Sequence, residues 1–260
     1  MKTKKLLAYH GDKNLKEKMV EQMKLHMKQD QLIKGTYGEN GKFCAVGCAL
    51  DSLNILEKKQ LSTSDHSRYE TELGIPEILA RLEDGLFEEM SNEEAMKFPL
   101  RFLEAISVGA DLSKVFTKLV IWEWEDPTHG LKNIKEIAED KELVDCCEKV
   151  VKLYKKVLAG KKVKDSEWIA LEQLADKIFY ARAGATPRAW TWAWAWATAR
   201  AWAGATPRAT ATPRATATPR ARARTWAWAT PRAWAGAGAE YEKQISITVE
   251  KLLDLLKKSK

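Results

Sequence analysis

Residues 75–90 read IPEILARLEDGLFEEM, the clearest helical pattern in the chain. Proline at position 76 suits the first turn of a helix, where its missing N–H leaves no hydrogen bond unmade. Apolar side chains then recur at helical spacing, at Ile78, Leu79, Leu82, Leu86 and Met90. Charged residues between them, among them Arg81, Glu83 and Asp84, are expected on a solvated face. The segment predicts an amphipathic helix that packs through one side.

Similar patterns continue in both directions from this helix. Asp12 is placed to cap a helix ahead of an apolar stripe that includes Met19 and Met23, and Ser91 with Glu94 matches a capping box. Pro99 is expected to break or kink the helix that Ser91 begins. Further helices are expected near residues 44–58, 65–74, 112–125, 143–158, 166–180 and 240–258. About nine helices and no convincing strand pair predict an all-α fold.

One tract, residues 181–239, differs in kind from the rest of the chain. It contains only Ala, Arg, Thr, Trp, Pro and Gly, in a strict two-residue alternation. Repeated prolines oppose any long helix or central strand, so disorder is predicted. Codons for Ala, Pro and Thr share a middle C, and those for Trp, Arg and Gly share a middle G. The alternation therefore also fits a nucleotide repeat read out of frame.

The tract also accounts for the basic charge of the chain. Nine of the 43 basic residues are its arginines, which leaves 34 basic against 36 acidic residues elsewhere. The net charge of +7 is thus no sign that the helical part binds nucleic acid. Binding of polyanions through interleaved Arg and Trp in the tract stays an alternative, although we do not expect a nucleic-acid function.

The remaining sequence suits an ordinary cytoplasmic domain. Four cysteines are too few for a disulfide scaffold at this length, and no segment has the length of a signal peptide core or membrane span. We predict a helical domain over residues 1–180 and a C-terminal helix over 240–260 that packs on it. No cofactor and no membrane association are expected.

The segment GKFCAVGC, residues 41–48, is the densest chemical signal. It follows a turn predicted at residues 36–42 and leads into a helix, whose positive N-terminal end would lower the pKa of Cys44. With His66 or His10 as a base, Cys44 is a candidate nucleophile. The alternative is that Cys44 and Cys48 are small core residues, one helical turn apart.

The same residues allow two further interpretations. Cys44, Cys48 and His66 are candidate zinc ligands, with His10 or His26 as other donors, although the second short-spaced cysteine pair of a typical zinc site is missing. His66 and Glu70, four residues apart, would share a helix face, where the carboxylate could orient the imidazole. A plain surface ion pair explains that spacing equally well.

Several motifs occur in a recognisable order: HGD at residues 10–12, GKFCAVGC at 41–48, HSRYETELGIP at 66–76, LARLED at 79–84 and GADLS at 109–113. In this order they resemble a family of uncharacterised bacterial and prophage-borne proteins over about residues 8–180. Its members tend to carry an Ala-rich repeat before a terminal helix. The tract keeps that position but departs by its prolines and lack of acidic residues. The resemblance implies no known activity, but it directs attention to Cys44, Cys48, His66 and Glu70.

Two main hypotheses of function follow. The first is a non-catalytic helical protein that binds another macromolecule, most simply a protein, in a bacterial or phage setting. The second is a small enzyme that uses Cys44 as nucleophile and His66 or His10 as base. We favour the first, because the sequence contains no phosphate-binding loop and no recognised catalytic set.

Overall fold

Helices make up the regular structure of the protein in a computed structural model that describes residues 6–181 and 238–260. Nine helices of six residues or more occur in this described part, together with the single-turn α7 and two short 3₁₀ segments, and no strand is formed there. The helices are α1 (Lys13–Lys28), α2 (Ala45–Glu57), α3 (Arg68–Leu73), α4 (Glu77–Glu89), α5 (Asn92–Ala105), α6 (Val115–Glu125), α7 (Lys135–Ala138), α8 (Lys141–Leu158), α9 (Asp165–Ala181) and α10 (Gly238–Lys257). The predicted all-α class is confirmed.

Local capping chemistry sets several helix boundaries as the sequence predicts. Asp12 accepts a hydrogen bond of 2.8 Å from the Asn14 amide at the start of α1. Ser91 accepts one of 3.3 Å from the Glu94 amide at the start of α5. Gly74 ends α3 in the left-handed region, at φ 63°, where a side chain would be strained.

The expected break at Pro99 does not occur, because α5 runs without interruption from Asn92 to Ala105. Proline removes one backbone hydrogen bond from the helix. Pro99 is buried together with Phe98, Phe102 and Leu103 of the same helix, so packing of this apolar face holds α5 together around the missing bond.

Contacts group the described residues into two compact units, the first of which comprises residues up to 116 and from 242 to 260. Within it α1 packs against α2 and α5, and α4 packs against α2, α3 and α5. Met19 and Met23 of α1 are fully buried, and the Tyr9 hydroxyl donates a 2.8 Å hydrogen bond to the Leu103 carbonyl. This unit holds all the candidate site residues.

Helix α10 belongs to the first unit from residue 242 onward. Its apolar side chains are buried at Ile245, Val249, Leu252, Leu253 and Leu256. Arg101 of α5 forms an ion pair of 2.5 Å with Glu250, and Ser246 donates a hydrogen bond of 2.8 Å to Glu94. Burial of one face of α10 therefore joins sequence-distant parts of the chain in one core.

The second unit spans residues 117–241, of which the structure describes 117–181 and 238–241. The rings of Tyr154 and Trp168 meet edge to face, 5.1 Å apart, where α8 packs against α9. Cys146 and Cys147 are buried and free. The single domain predicted over residues 1–180 stays a prediction.

The low-complexity tract predicted at residues 181–239 lies almost wholly outside the described residues. The disorder predicted for it therefore stays a prediction. Within residues 6–181 and 238–260, every helix is too short or too polar to span a lipid bilayer.

Candidate functional site

The connection between α1 and α2, residues 29–44, is the longest stretch without a helix in the described part of the chain, and we call its residues 31–43 the 31–43 loop. Its base is closed by backbone hydrogen bonds, from Phe43 N to the Gln31 carbonyl and from Ile33 N to the Phe43 carbonyl. Its tip is a turn in which Glu39 and Lys42 exchange two backbone hydrogen bonds of 2.8 and 2.9 Å. The turn predicted at residues 36–42 is therefore present, and residues 37–41 are exposed.

Side chains fix the loop at both of its ends. The Gln31 amide oxygen accepts a 2.7 Å hydrogen bond from Nδ1 of the buried His26 in α1. Asp30 pairs with Lys42 at 2.6 Å. Leu32 is buried, with 5% of its surface exposed. The base of the loop is thus part of the core.

The middle of the loop is fixed to α4. The Lys34 ammonium group donates a 2.6 Å hydrogen bond to the Met90 carbonyl, and the Gly35 amide donates one of 2.7 Å to Oε2 of Glu88. Tyr37 meets the ring of His66 edge to face, with centroids 5.7 Å apart. Tyr37 nevertheless keeps 36% of its surface exposed.

Cys44 lies at the N-cap of α2, as the sequence predicts, and its sulfur accepts a 3.4 Å hydrogen bond from the Gly47 amide. The side chain is 1% exposed. Burial raises the pKa of the Cys44 thiol well above its usual value, and the nearby Asp84 carboxylate raises that pKa further. The Gly47 amide in the first turn of α2 does lower this pKa, as expected from the helix terminus, but burial and Asp84 outweigh it, so the pKa of Cys44 is raised overall.

His66 is 4% exposed, and its Nε2 donates a 3.2 Å hydrogen bond to Oδ2 of Asp84. It precedes α3, which begins at Arg68, so the expected shared helix face with Glu70 is wrong. Glu70 is exposed and accepts a 3.1 Å hydrogen bond from the Glu77 amide, the first residue of α4. Its carboxylate therefore caps α4 and does not orient His66.

His10, the other candidate base, is exposed in a short 3₁₀ segment. Its Nε2 donates a 3.1 Å hydrogen bond to the Thr71 carbonyl. The structure thus brings together Cys44, His66 and Asp84, whereas His10 and Glu70 have partners of their own.

The candidate metal ligands do not form a cluster. In the part of the chain that the structure describes, no three His, Cys, Asp or Glu side chains are grouped to hold a metal ion, and Cys44, Cys48 and His66 are no exception. Cys48 is fully buried, and its thiol donates weakly, at 3.8 Å, to the carbonyls of Gln31 and Phe43. His26 bonds to Gln31 and, through Nε2, to Ser52 Oγ at 3.1 Å.

Glu83 and Asp84 are the site residues that the sequence placed wrongly. Glu83 has no exposed surface, and the Asp84 side chain is only 14% exposed, so neither lies on a solvated face. The buried side of α4 follows Leu79, Ala80, Glu83, Leu86, Phe87 and Met90. Leu79, Leu86 and Met90 of the predicted stripe are thus buried, whereas Ile78 and Leu82 are only half-buried. The buried face is rotated toward Ala80, Glu83 and Phe87, which turns Glu83 inward.

No known protein family model, curated protein or solved structure matches this chain. The chemistry of the site therefore rests on its own geometry. A neutral thiol beside a carboxylate is a poor nucleophile, because a negative charge nearby disfavours the thiolate. A tyrosine that keeps about a third of its surface exposed, on a loop fixed at its base and middle, is by contrast suited to recognition.

Proposed function

We propose that this chain is a non-catalytic helical protein in which the 31–43 loop presents Tyr37 and its exposed neighbours to a protein partner. The observation that supports it is the combination of exposure and anchoring in one segment. Residues 37–41 are exposed, whereas hydrogen bonds tie the same loop to α1 and α4.

Anchoring matters because ordering a loop on binding costs free energy, about 0.5–1.5 kcal/mol for each side chain that is immobilised. A loop that is already ordered avoids much of that cost. Tyrosine adds a large contact area with only two rotatable bonds, and glycine and asparagine add adaptable hydrogen bonding around it. The exposed sequence from position 37 to 41, YGENG, has this composition.

Chemistry at Cys44 is the alternative that the geometry supports less well. The thiol is buried, its pKa is raised, and its partners are Gly47 and Asp84. Binding proteins often carry their contact residues on a loop that a rigid scaffold positions. Because the motifs resemble those of bacterial and prophage-borne proteins, we propose a bacterial cytoplasm as the setting.

Site-specific photo-crosslinking tests the proposal. A benzoylphenylalanine at position 37 is expected to capture a discrete partner protein in a bacterial host. The matched control carries the same group at position 55, since Ile55 of α2 is 53% exposed in the same unit. A recognition loop gives an adduct from position 37 and none of that mass from position 55.

Two variants separate binding from catalysis. Cys44→Ser in the crosslinking chain should leave the adduct in place, because the thiol contributes nothing to the exposed surface. Gly35→Pro removes the N–H that donates to Glu88 and cannot adopt the φ of 85° at this position, so it should weaken the adduct by disordering the loop. Identical adducts from positions 37 and 55, or none from position 37, would contradict the proposal.

A further inference from the structure

The tip of the 31–43 loop is a two-residue turn with asparagine and glycine at its centre. Asn40 and Gly41 both have positive φ, 52° and 76°, and Lys42 N donates a 2.9 Å hydrogen bond to the Glu39 carbonyl across them. A two-residue turn with positive φ at both central positions is of type I′, for which Asn followed by Gly is the favoured pair. The chain contains five asparagines, and only Asn40 precedes a glycine.

The Asn40 side chain is open to attack by the backbone nitrogen that follows it. It is exposed, and within the described residues its carboxamide has no hydrogen-bond partner. A Cβ added at the exposed Gly41 would meet no atom of the described residues within 4 Å beyond its chain neighbours, so nothing shields that nitrogen. Asn54 shows the opposite case, because it precedes Ile55 and its side chain makes hydrogen bonds of 3.0 and 2.6 Å with the Leu61 backbone.

We propose that Asn40 is a deamidation site, at which the side-chain amide is lost and an isoaspartyl or aspartyl residue is left. The Gly41 nitrogen attacks Cγ of Asn40, so that a Cγ–N bond forms and the Cγ–Nδ2 bond breaks. The proton on the Gly41 nitrogen leaves with Nδ2 as ammonia, and a five-membered succinimide ring remains. Water opens this ring at either carbonyl carbon: its oxygen completes a carboxyl group, and one of its protons returns to the Gly41 nitrogen.

The closed turn holds Asn40 back from this reaction. In the left-handed region ψ is about +47°, which places Cβ of Asn40 and the Gly41 nitrogen on opposite sides of the Cα–C bond. The ring closes only after the turn opens and ψ rotates. Two backbone hydrogen bonds between Glu39 and Lys42 keep the turn closed. Deamidation in the folded chain should therefore be roughly 5- to 150-fold slower than in the unfolded chain, the factor expected from two such bonds.

Deamidation changes the surface next to Tyr37. An isoaspartyl residue adds one carbon to the main chain, so the two hydrogen bonds between Glu39 and Lys42 cannot both keep their register. The new carboxylate also adds a negative charge beside Glu39. This effect on recognition rests on the proposed function, in which the same loop contacts a partner, whereas the reaction at Asn40 does not.

Incubation of the full chain at pH 8, followed by tryptic digestion and mass spectrometry, tests the proposal. The peptide of residues 35–42 should gain the mass of an acid in place of an amide, as two products that separate by chromatography. Asn92 is the matched control in the same molecule, since it is also exposed but precedes Glu93. Asn40→Gln should abolish the gain, because the longer side chain would have to close a six-membered ring.

A parallel sample unfolded in guanidinium chloride gives the rate without the turn, which should be faster by roughly 5- to 150-fold. Loss of amide from Asn92 as fast as from Asn40, or a folded chain that keeps its Asn40 amide while the unfolded chain loses it, would overturn the proposal. Equal rates in the two samples would overturn the control by the turn. The protein alone is measured, so failure to crosslink a partner at position 37 contradicts only the proposed function.

Discussion

The Tyr69 hydroxyl donates a hydrogen bond of 2.9 Å to Oε2 of Glu83, and neither side chain has any exposed surface. The other carboxyl oxygen, Oε1, has no hydrogen-bond partner. Burial raises the pKa of Glu83 well above its ordinary value, which the bond from Tyr69 only partly offsets. Since an unpaired buried charge is far more costly than a buried neutral acid, burial favours the protonated form of Glu83 in the core.

Glu83→Gln should remove a pH dependence of stability. The folded protein holds a proton on Glu83 that the unfolded chain releases above about pH 4.5, so this residue makes the free energy of unfolding fall as the pH rises. Glutamine keeps the shape and the acceptor without that cost. Urea unfolding at pH 4.5, 6 and 8 should show the variant gaining on the wild type at each step.

Tyr69→Phe is the counterpart at neutral pH. It leaves Oε2 of Glu83 without a donor, and we expect a loss of about 1–3 kcal/mol in the free energy of unfolding.

The control for Glu83→Gln is Glu93→Gln, which removes a carboxylate whose side chain is 82% exposed. Parallel pH profiles for the wild type and Glu83→Gln would show that Glu83 is ionised in the core.

Cys44 should resist alkylation in the folded protein. Its thiol is buried and its pKa is raised by burial and by Asp84, so iodoacetamide at pH 8 should modify it far more slowly than in urea. Asp84→Asn removes the charge but keeps the burial. It should shift the pH dependence of alkylation, read by mass spectrometry, toward lower pH without making Cys44 fast. Rapid alkylation of the folded wild type would instead favour a nucleophile.

The helices and their caps could be predicted because they depend on local sequence. Asp12, Ser91 and Gly74 act on backbone groups within a few residues, so pattern and spacing suffice. The glycines and the asparagine of the 31–43 loop likewise predicted a turn. What the sequence did not show is where that turn is anchored, since Glu88 lies 53 residues beyond Gly35.

The predictions that differ from the structure, for Glu83, Cys44 and His66, fall where tertiary contacts outweigh local chemistry. A small rotation of α4 decides whether Glu83 faces water or Tyr69, and an apolar stripe defines that rotation poorly. The pKa of Cys44 combines the helix terminus with burial, and burial is not visible in the residues around it. His66 and Glu70 looked like a pair because a helix was expected to include both.

Gly47→Ala should destabilise the protein, although alanine in a helix is usually better than glycine by about 0.5–1 kcal/mol. A Cβ at position 47 would lie 2.8 Å from the Tyr37 carbonyl oxygen and 2.9 Å from Phe43 Cβ. These atoms belong to the 31–43 loop, which must move, so we expect a loss of about 1–3 kcal/mol. A Cβ at position 38 would lie close to the Phe43 ring, which can turn, and at an ordinary 3.6 Å from Thr63 Oγ1, so Gly38→Ala should cost less in the same urea titration. A stabilised Gly47→Ala would mean that the loop yields freely.

The contribution of α10 to the first unit can be separated into its apolar and charged contacts. Leu252 has no exposed surface, and truncation to alanine should cost about 2–5 kcal/mol, because it removes buried contacts and leaves a cavity. Arg101→Ala breaks the ion pair with Glu250, whose side chains are 42% and 63% exposed, and should cost less than about 1 kcal/mol. Both variants are compared by urea unfolding at neutral pH and again at high salt. The small loss for Arg101→Ala should shrink with salt, since exposed charges are screened, whereas the loss for Leu252→Ala should persist. A loss for Leu252→Ala no larger than that for Arg101→Ala would mean that α10 adds little to the core of the first unit.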